Sequence, residues 1–495
     1  MTNLSDSMDE NGPIGAGARL QLLSTGQRRE IILAAARVLL ETGIVIGSPQ
    51  ARDILARAGA RIEGTRAFLS DALLEAARGA APDRFTLYSR GQDRSKDVEI
   101  GRQRAHFGPS ITATHFLDPR TGERRPYFLD DAALVARVCD ALPNIDYVAA
   151  QGTISDVDPD LVEVYEFAAL VAHSLKPVMA WSNTLAGCRD IHQIASLAAG
   201  SQQALADRPF YFFLGCSISP LTIPGEVAEQ LIYCAQQAIP YVFGPCPMCG
   251  ATTPSTLAST LVVATAECLA ALALAQTVRP GAPFIVGGSL GTIDMRRATM
   301  PYGAPELPLL CAAETEIAHH LGLPMWSTAG VSDAKIVDEQ AAMEGAMGVV
   351  VAGLSGADLV HNVGFIEGCL TGSLQYLVMM DEAIGYANRI VRGIEVSPET
   401  LGLEWIARIG PGGDFLSTEH TLRHFRSEFW YPRLFDRQTR EGWQAEGQKS
   451  MAGRVQAQLN YLLDQPFAPR LAPEVQAEID CVLAAAERRI TAGQS

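Results

Sequence analysis

No Lys/Arg-rich run occurs anywhere along this sequence. A basic patch is the electrostatic footprint of nucleic-acid binding, and basic clusters also mark contact with anionic lipid, so neither nucleic acid nor a membrane is expected as a partner. Charged residues are few, 19% of 495, and the balance is acidic: 39 Lys and Arg against 55 Asp and Glu give a formal charge of −16. Such a field favours a cationic substrate and also serves solubility. The N-terminal stretch MTNLSDSMDENGPIGAGARL lacks the basic and apolar regions of a secretory signal. Missing too are a Walker A loop, an H-E-x-x-H and a G-x-S-x-G, which removes the commonest phosphate-binding, zinc-protease and serine-hydrolase readings. The ten cysteines are scattered rather than set in a compact framework; free thiols in a reducing, cytoplasmic setting follow. Cys246 and Cys249 form a C-x-x-C, but zinc needs more ligands and no second pair stands out, so no metal site is expected.

What is present is apolar and periodic. With 48% apolar residues, a sizeable core can form. The longest apolar run, Thr256–Gln276, carries Thr260, Thr265, Glu267 and Cys268 and lies between two strand-like runs, which reads as a buried helix rather than a membrane span. Short apolar runs, often led by Pro, recur at Ala105–Ser110, Asp146–Gln151, Pro177–Trp181, Phe210–Gly215, Pro240–Gly244, Pro283–Gly287, Pro324–Thr328 and Asp358–His361. From the second onward their starts are 31, 33, 30, 43, 41 and 34 residues apart, the length of a βα unit with its loops. Helical patterns lie between them, at Leu161–His173, Ile191–Ala206, Glu226–Gln237, Pro305–Leu321 and Asp338–Leu354. Near-continuous apolar strands such as Tyr211–Leu214 suit a parallel sheet buried on both faces.

Eight strands alternating with helices close most naturally into a (β/α)8 TIM barrel, an α/β fold. The alternative, a doubly wound open sheet, needs a G-x-G-x-x-G turn after an early strand, and none is there. The barrel is expected over residues 105–394. Residues 1–104 would add helices at Gln27–Glu41 and Asp71–Arg78 and a hairpin within Arg84–Arg104 that caps the barrel floor. Residues 395–495 would form a helical extension, with a charged stretch at Arg433–Ser450 and an amphipathic helix at Pro473–Ile490. Packing or contact in a homo-oligomer accounts for both flanks.

In such barrels the strand carboxyl ends and the loops after them build the active site. Here those ends carry Gly108-Pro109-Ser110, Gln151-Gly152-Thr153, Trp181-Ser182-Asn183, Gly215-Cys216-Ser217, Gly244-Pro245-Cys246, Gly287-Gly288-Ser289, Ser327-Thr328-Ala329-Gly330 and His361-Asn362. Small and neutral hydrogen-bonding residues dominate, which suits a reaction needing positioning more than proton transfer. His361 is the one histidine at a strand end, with Asn362 beside it and Glu367 just after; His361 and Glu367 are the catalytic candidates. Trp181, Tyr211, Phe213, Tyr241, Trp326 and Phe365 are candidate walls of a box for a quaternary ammonium ion through cation–π contact, although strand alternation must turn about half of them into ordinary core. Gln151 is a further substrate candidate, and Arg296, in the long loop after the sixth strand, is a candidate partner for a substrate carboxylate. No lysine stands at a strand end to form a Schiff base, Lys335 lying beyond the seventh strand.

Several segments resemble the trimethylamine methyltransferase family. They are Ser327-Thr-Ala-Gly-Val-Ser-Asp-Ala-Lys335 with Asp338-Glu-Gln340 and Glu344, Cys246-Pro-Met-Cys-Gly-Ala-Thr-Thr-Pro254, Gly356-Ala-Asp358 through His361 to Glu367, and Phe415-Leu-Ser-Thr-Glu-His-Thr-Leu-Arg-His424 running on to Trp430-Tyr-Pro-Arg-Leu-Phe-Asp-Arg437. The resemblance extends from about residue 25 to the C-terminus. It implies an enzyme that passes a methyl group from an amine to the cobalt of a corrinoid (cobalamin) held by a separate corrinoid protein. Founding members carry pyrrolysine just after the seventh strand, near Val331 here; this chain has an ordinary residue there and so resembles glycine betaine:corrinoid methyltransferases, with a small quaternary amine as donor. On that footing Ser217, Gly288, Ser289, Gly330, Val331, Asp333, His361 and Asn362 are candidates for contact with the corrinoid. Two other readings stand beside it: a relative using another methylated donor or a folate acceptor, and a non-catalytic corrinoid- or betaine-binding module.

Overall fold

Residues 18–468 and 470–492 are described by the structure, a computed structural model. All but the last three residues of the acidic N-terminal stretch lie outside the described residues. The chain folds as mixed α/β. At its centre, strands Val178–Trp181, Tyr211–Gly215, Tyr241–Phe243 and Phe284–Val286 pair in parallel and in sequence order, with Phe213 opposite Tyr241 and Tyr241 opposite Phe284. A second parallel group joins Trp326–Thr328 to Leu359–His361, and Leu359–His361 to His106–Phe107. Single parallel bridges link the two groups to their neighbours, Val286 to Met325 and Val148 to Val178. Between residues 107 and 146 the connection is made by main-chain hydrogen bonds, Asp146 N–H to Phe107 O (2.7 Å) and Gln151 N–H to Ser110 O (2.7 Å).

Helices follow the strands where the sequence offers caps. Thr184 caps Leu185–Ala199, Thr256 caps Leu257–Val278 and Asp338 caps Glu339–Ser355, each side-chain oxygen accepting from a first-turn N–H. The expected single helix over Ile191–Ala206 is two, Leu185–Ala199 and Gln202–Asp207. Gly200 takes a left-handed φ of 89° and ends the first, and Ser201 caps the second. Within the charged stretch Arg433–Ser450 only Arg440–Ala445 is helical. The apolar helix Leu257–Val278 is enclosed: Thr25–Glu41, Pro49–Arg57 and Asp71–Ala80 from the N-terminal flank and Gly225–Gln237 pack on it, and from Ala264 to Gln276 every residue is buried.

The strands sort their side chains by period two. One cluster collects Met179, Phe212, Leu214, Val242, Ile285, Trp326 and Leu359 between the strands. The alternate residues, among them Ala180, Tyr211, Phe213, Tyr241 and Phe243, pack outward against the helices. The hairpin Phe85–Leu87 with Val98–Ile100 sends Leu87, Val98 and Ile100 into the inner cluster. Its ends are tied to segments that precede strands, Tyr88 N–H to Pro209 O and Arg90 N–H to Leu175 O (both 2.8 Å), and Gly101 N–H to the Asp358 carboxylate (2.7 Å). It therefore lies at the amino ends of the strands.

At the carboxyl ends of the strands the chain makes a close main-chain crossing. A Cβ on Gly288 would sit 1.8 Å from the Pro245 carbonyl oxygen, and Ser289 N–H donates to that same carbonyl at 3.2 Å. Gly288→Ala must push the two loops apart, and an expected loss of about 1–3 kcal/mol is the scale of overpacking in a tight core. Urea unfolding of the variant against wild type measures it.

Candidate active site

A cavity of about 340 Å³ opens at the strand carboxyl ends. Its lining is the next inner-face layer above the apolar plug: Trp181 after Met179, and His361 after Leu359. Ser110, Asn183, Cys216, Cys246, Ser289, Tyr302, Trp326, Asn362 and Cys369 complete much of its wall. Among the described residues, not one Asp, Glu, Lys or Arg lines it.

His361 anchors one side. Its ring stacks on Trp326, with centroids 3.4 Å apart and planes 6° from parallel. Nδ1 lies 2.7 Å from the Ser327 carbonyl, which can only accept, so Nδ1 carries the proton. Nε2 is left to accept from the Ser289 hydroxyl at 3.1 Å, and Thr328 Oγ1 lies 2.8 Å from Ser289 Oγ. Burial pushes the imidazole pKa down to about 3, so the ring is neutral at any working pH. The Cys216 and Cys246 thiols interact, which holds Cys246 below and Cys216 well above the ordinary thiol value.

Carboxyl groups stand behind the wall. Glu163 accepts from the Ser182 hydroxyl (2.9 Å) and Asn183 N–H (2.6 Å), and Glu166 accepts from Ile154 N–H (3.0 Å) and the Trp181 indole N–H (3.1 Å). Glu267 accepts from the hydroxyls of Ser217 (2.5 Å) and Ser219 (2.8 Å) and from Leu221 N–H (2.7 Å). Both carboxyl oxygens of Glu314 are buried without a hydrogen-bond partner. Burial raises Glu166 and Glu314 to about 8 and raises Glu267 as well, and no cation beside any of the three opposes this.

Of the residues singled out in the sequence, Trp181, Ser289, Trp326, His361 and Asn362 come together in this cavity. Others do not. Tyr211, Phe213 and Tyr241 are out of phase with the inner face: Tyr211 reaches His192 (2.9 Å) among the helices, and Phe213 stacks on Tyr241 there. Phe365 joins Ala113 and Val331 in a separate small cluster. Arg296 is exposed, its backbone N–H donating to Asp294, and it lines no part of the cavity. Gln151 is wholly buried and spends its amide N–H on Gly364 O (2.9 Å). Glu367 lines no part of the cavity; it accepts from Arg124 (2.8 Å) and Thr371 (2.7 Å), contacts that hold its carboxyl below the usual range against the pull of burial. Ser217 turns to Glu267, and Gly288 makes the loop crossing described above. Gly330 and Val331 border a different, apolar groove with Leu20, Met343 and Met347. Asp333 serves the cavity at one remove, accepting from Tyr302 N–H and Gly303 N–H (both 2.9 Å) and so fixing the loop that delivers Tyr302.

Tyr302, Cys369 and Gln230 are lining residues that the sequence did not single out. Tyr302 arrives from the long loop before the helix Glu306–His320, Cys369 from the short turn between the strands Phe365–Ile366 and Thr371–Ser373, and Gln230 from the helix Gly225–Gln237, where its amide donates to Ser182 O (2.9 Å). No local spacing signals any of these approaches.

A site poor in acid–base groups, set on parallel strands, belongs to a group-transfer class that works by positioning. The comparisons give that class: the model of the family described as trimethylamine methyltransferase (MTTB) matches residues 5–491. The chain belongs to that family, and it is an enzyme, a methyltransferase. It is 31% identical over 439 residues to the trimethylamine methyltransferase MttB of Desulfitobacterium hafniense, covering 88% of each chain. It is 28% identical over 470 residues to the glycine betaine methyltransferase of the same species, covering 94% of this chain and 97% of that one. The crystal structure of the Methanosarcina barkeri monomethylamine methyltransferase MtmB shares the fold, with a TM-score of 0.51 at 13% identity over 90% of this chain and 89% of that one.

Proposed function

We propose that this methyltransferase removes a methyl group from a small quaternary amine, glycine betaine or a close analogue, at the carboxyl-end cavity, and that the acceptor is a corrinoid carried by a partner protein. The observation that carries the reading is the cavity itself. Trp181 and Trp326 offer aromatic faces, the remaining groups are neutral, and the unpaired carboxyls lie behind the wall. A quaternary nitrogen fits such a site, because cation–π contact replaces part of its hydration. It also leaves as a neutral amine, so no acid is needed at the leaving group, and His361, neutral and buried, supplies none. The corrinoid would supply Co(I) as the nucleophile that takes the methyl group. At about 340 Å³ the cavity is too small to take in the macrocycle, so the exposed residues of its lining, Thr112, Asn183 and Cys246, would meet it from below. The chain's part is to bind the cation, exclude water and align one methyl group toward the opening.

The fold reading goes with it: a (β/α)8 barrel over residues 105–394, floored by the hairpin and flanked by the two extensions. Consecutive parallel pairing, the single bridges and the hydrogen bonds between residues 107 and 146 all fit a closed ring. The C-terminal extension favours a homo-oligomer. The short helices Pro398–Leu401, Leu403–Ile409 and Glu419–Glu428 bury none of their own residues, while Ile394, Val396, Leu403, Leu416 and Leu422 are exposed. Helices this short do not persist alone in water, so their cover must be present whenever the chain folds, which a second copy always is. Ten free thiols suit the cytoplasm.

The test is anaerobic incubation with cobalamin reduced to Co(I) and a panel of glycine betaine, carnitine and trimethylamine. Loss of Co(I) absorbance with a betaine, together with the matching demethylated amine, is expected. Turnover of trimethylamine alone, or of no quaternary amine, would overturn the reading.

A further inference from the structure

Two carboxyl groups on one helix hold the strand end that walls the cavity. Glu163 and Glu166, three residues apart in Val162–His173, lie on one face. Between them they engage Trp181, Ser182 and Asn183, all three lining the cavity. Glu166 is buried, and it accepts the Trp181 indole N–H at 3.1 Å, a bond that orients this ring.

Resting on the quaternary-amine reading, we infer that Glu166 is a positioning residue that fixes the Trp181 ring as a wall of the cation site and, when ionised, places negative charge behind it. A carboxylate accepting the indole N–H polarises the ring, making its π face more negative and its attraction for a cation stronger. The low dielectric of the buried site preserves the effect. Glu166 acts through Trp181 and does not itself line the cavity.

Burial raises this carboxyl to about 8, so near neutrality it is largely protonated. A cation bound across the ring favours the charged form, so binding should release a proton, and affinity should rise with pH through that range. The titratable groups facing Glu166 are Glu163 on its own helix, which favours the protonated form, and Tyr127, whose hydroxyl donates to Ala150 O.

Tetramethylammonium chloride is the probe, titrated calorimetrically into the full chain at about pH 6.5 and about pH 9, with Glu166→Gln and Glu166→Leu in wild-type and Trp181→Phe backgrounds. Wild type should bind roughly tenfold more tightly at the higher pH, a difference of ~1.4 kcal/mol. Glu166→Gln, which keeps shape and removes the charge, should abolish that pH dependence. Glu166→Leu should weaken binding about tenfold at the higher pH, and neither change should matter beyond about twofold once Trp181 is Phe. Unaltered pH dependence in Glu166→Gln, or an equal loss from Glu166→Leu in the Trp181→Phe background, overturns the inference. A wild type that binds no tetramethylammonium at either pH overturns the quaternary-amine reading instead.

Discussion

Glu314→Gln should stabilise the protein by about 3–5 kcal/mol at pH 8.5 and by less than about 1 kcal/mol at pH 5, since a shift of one pKa unit is worth ~1.4 kcal/mol. Glu314 lies on the inward side of Glu306–His320 with Thr265, Cys268 and Val286 around it, 3% exposed and with neither oxygen hydrogen-bonded. Burial, with Cys246 and Glu267 adding to it, raises its pKa to about 8. In the unfolded chain it titrates at the ordinary carboxyl value, so between pH 4.5 and 8 the folded state holds the extra proton. The contribution is therefore fully present below the unfolded value and is lost as pH rises toward 8. Gln mimics the protonated acid at every pH, and so it relieves a cost that builds as pH rises from 4.5 toward 8. Urea midpoints for wild type and variant at the two pH values decide it; a shift of equal size at both would show that the carboxyl does not pay a desolvation cost there. Glu166, raised similarly, has the same sign, but its two donors would be poorly matched by an amide, so its gain should be smaller.

The contrast between these two carboxyls shows what the sequence could and could not reveal. Strand positions were legible because βα units repeat at near-constant length, and the short apolar runs fall within a residue or two of Val178–Trp181, Tyr211–Gly215 and Leu359–His361. The phase of those strands was not. Tyr211-Phe212-Phe213-Leu214 is apolar throughout because helices cover one face and the plug the other, so alternation leaves no mark on residue type. Aromatic character alone then favoured Tyr211 and Phe213, and the structure turns them to the helices. Trp181 and His361 reach the cavity from the last residues of their strands and Trp326 from the first of its own, all three in the inner phase. Arg296 lies away from the cavity for a different reason: its backbone N–H closes a turn on Asp294 and its side chain stays exposed, while Asp294 takes the neighbouring Arg297 as its ion-pair partner. Buried carboxyls such as Glu166 and Glu314 look in sequence like any polar residue on an amphipathic helix, and their helices are covered on both sides, so only packing exposes them.

His361→Ala should lower kcat/KM for methyl transfer roughly 100-fold, the scale of an Å-level misplacement of a reacting group, without creating or removing a limb near pH 6 to 7. General acid–base catalysis works best when the group's pKa lies near the operating pH, and this imidazole, buried to 2% exposure, is pushed down to about 3. Its ring instead holds two lining groups: Trp326 is pressed flat against it, and the Ser289 hydroxyl is drawn to Nε2. Removing the ring frees both, and the substrate loses its alignment rather than a proton source. His361→Gln, which retains a donor and an acceptor but not the flat face, should recover part of the loss. The same neutral ring makes a stability prediction of known sign. Below pH 6.5 the unfolded chain takes up a proton that the folded ring refuses, so the contribution is complete above 6.5 and is lost as pH falls toward 3, about 3–5 kcal/mol over the whole span at ~1.4 kcal/mol per pKa unit. His361→Gln should flatten that acid loss in urea titrations between pH 4 and 7. A rate limb near pH 6.5 in wild type that disappears in His361→Gln would show a titrating imidazole and refute the positioning role, whereas a flat profile with a depressed rate is what the stacked, singly protonated ring requires.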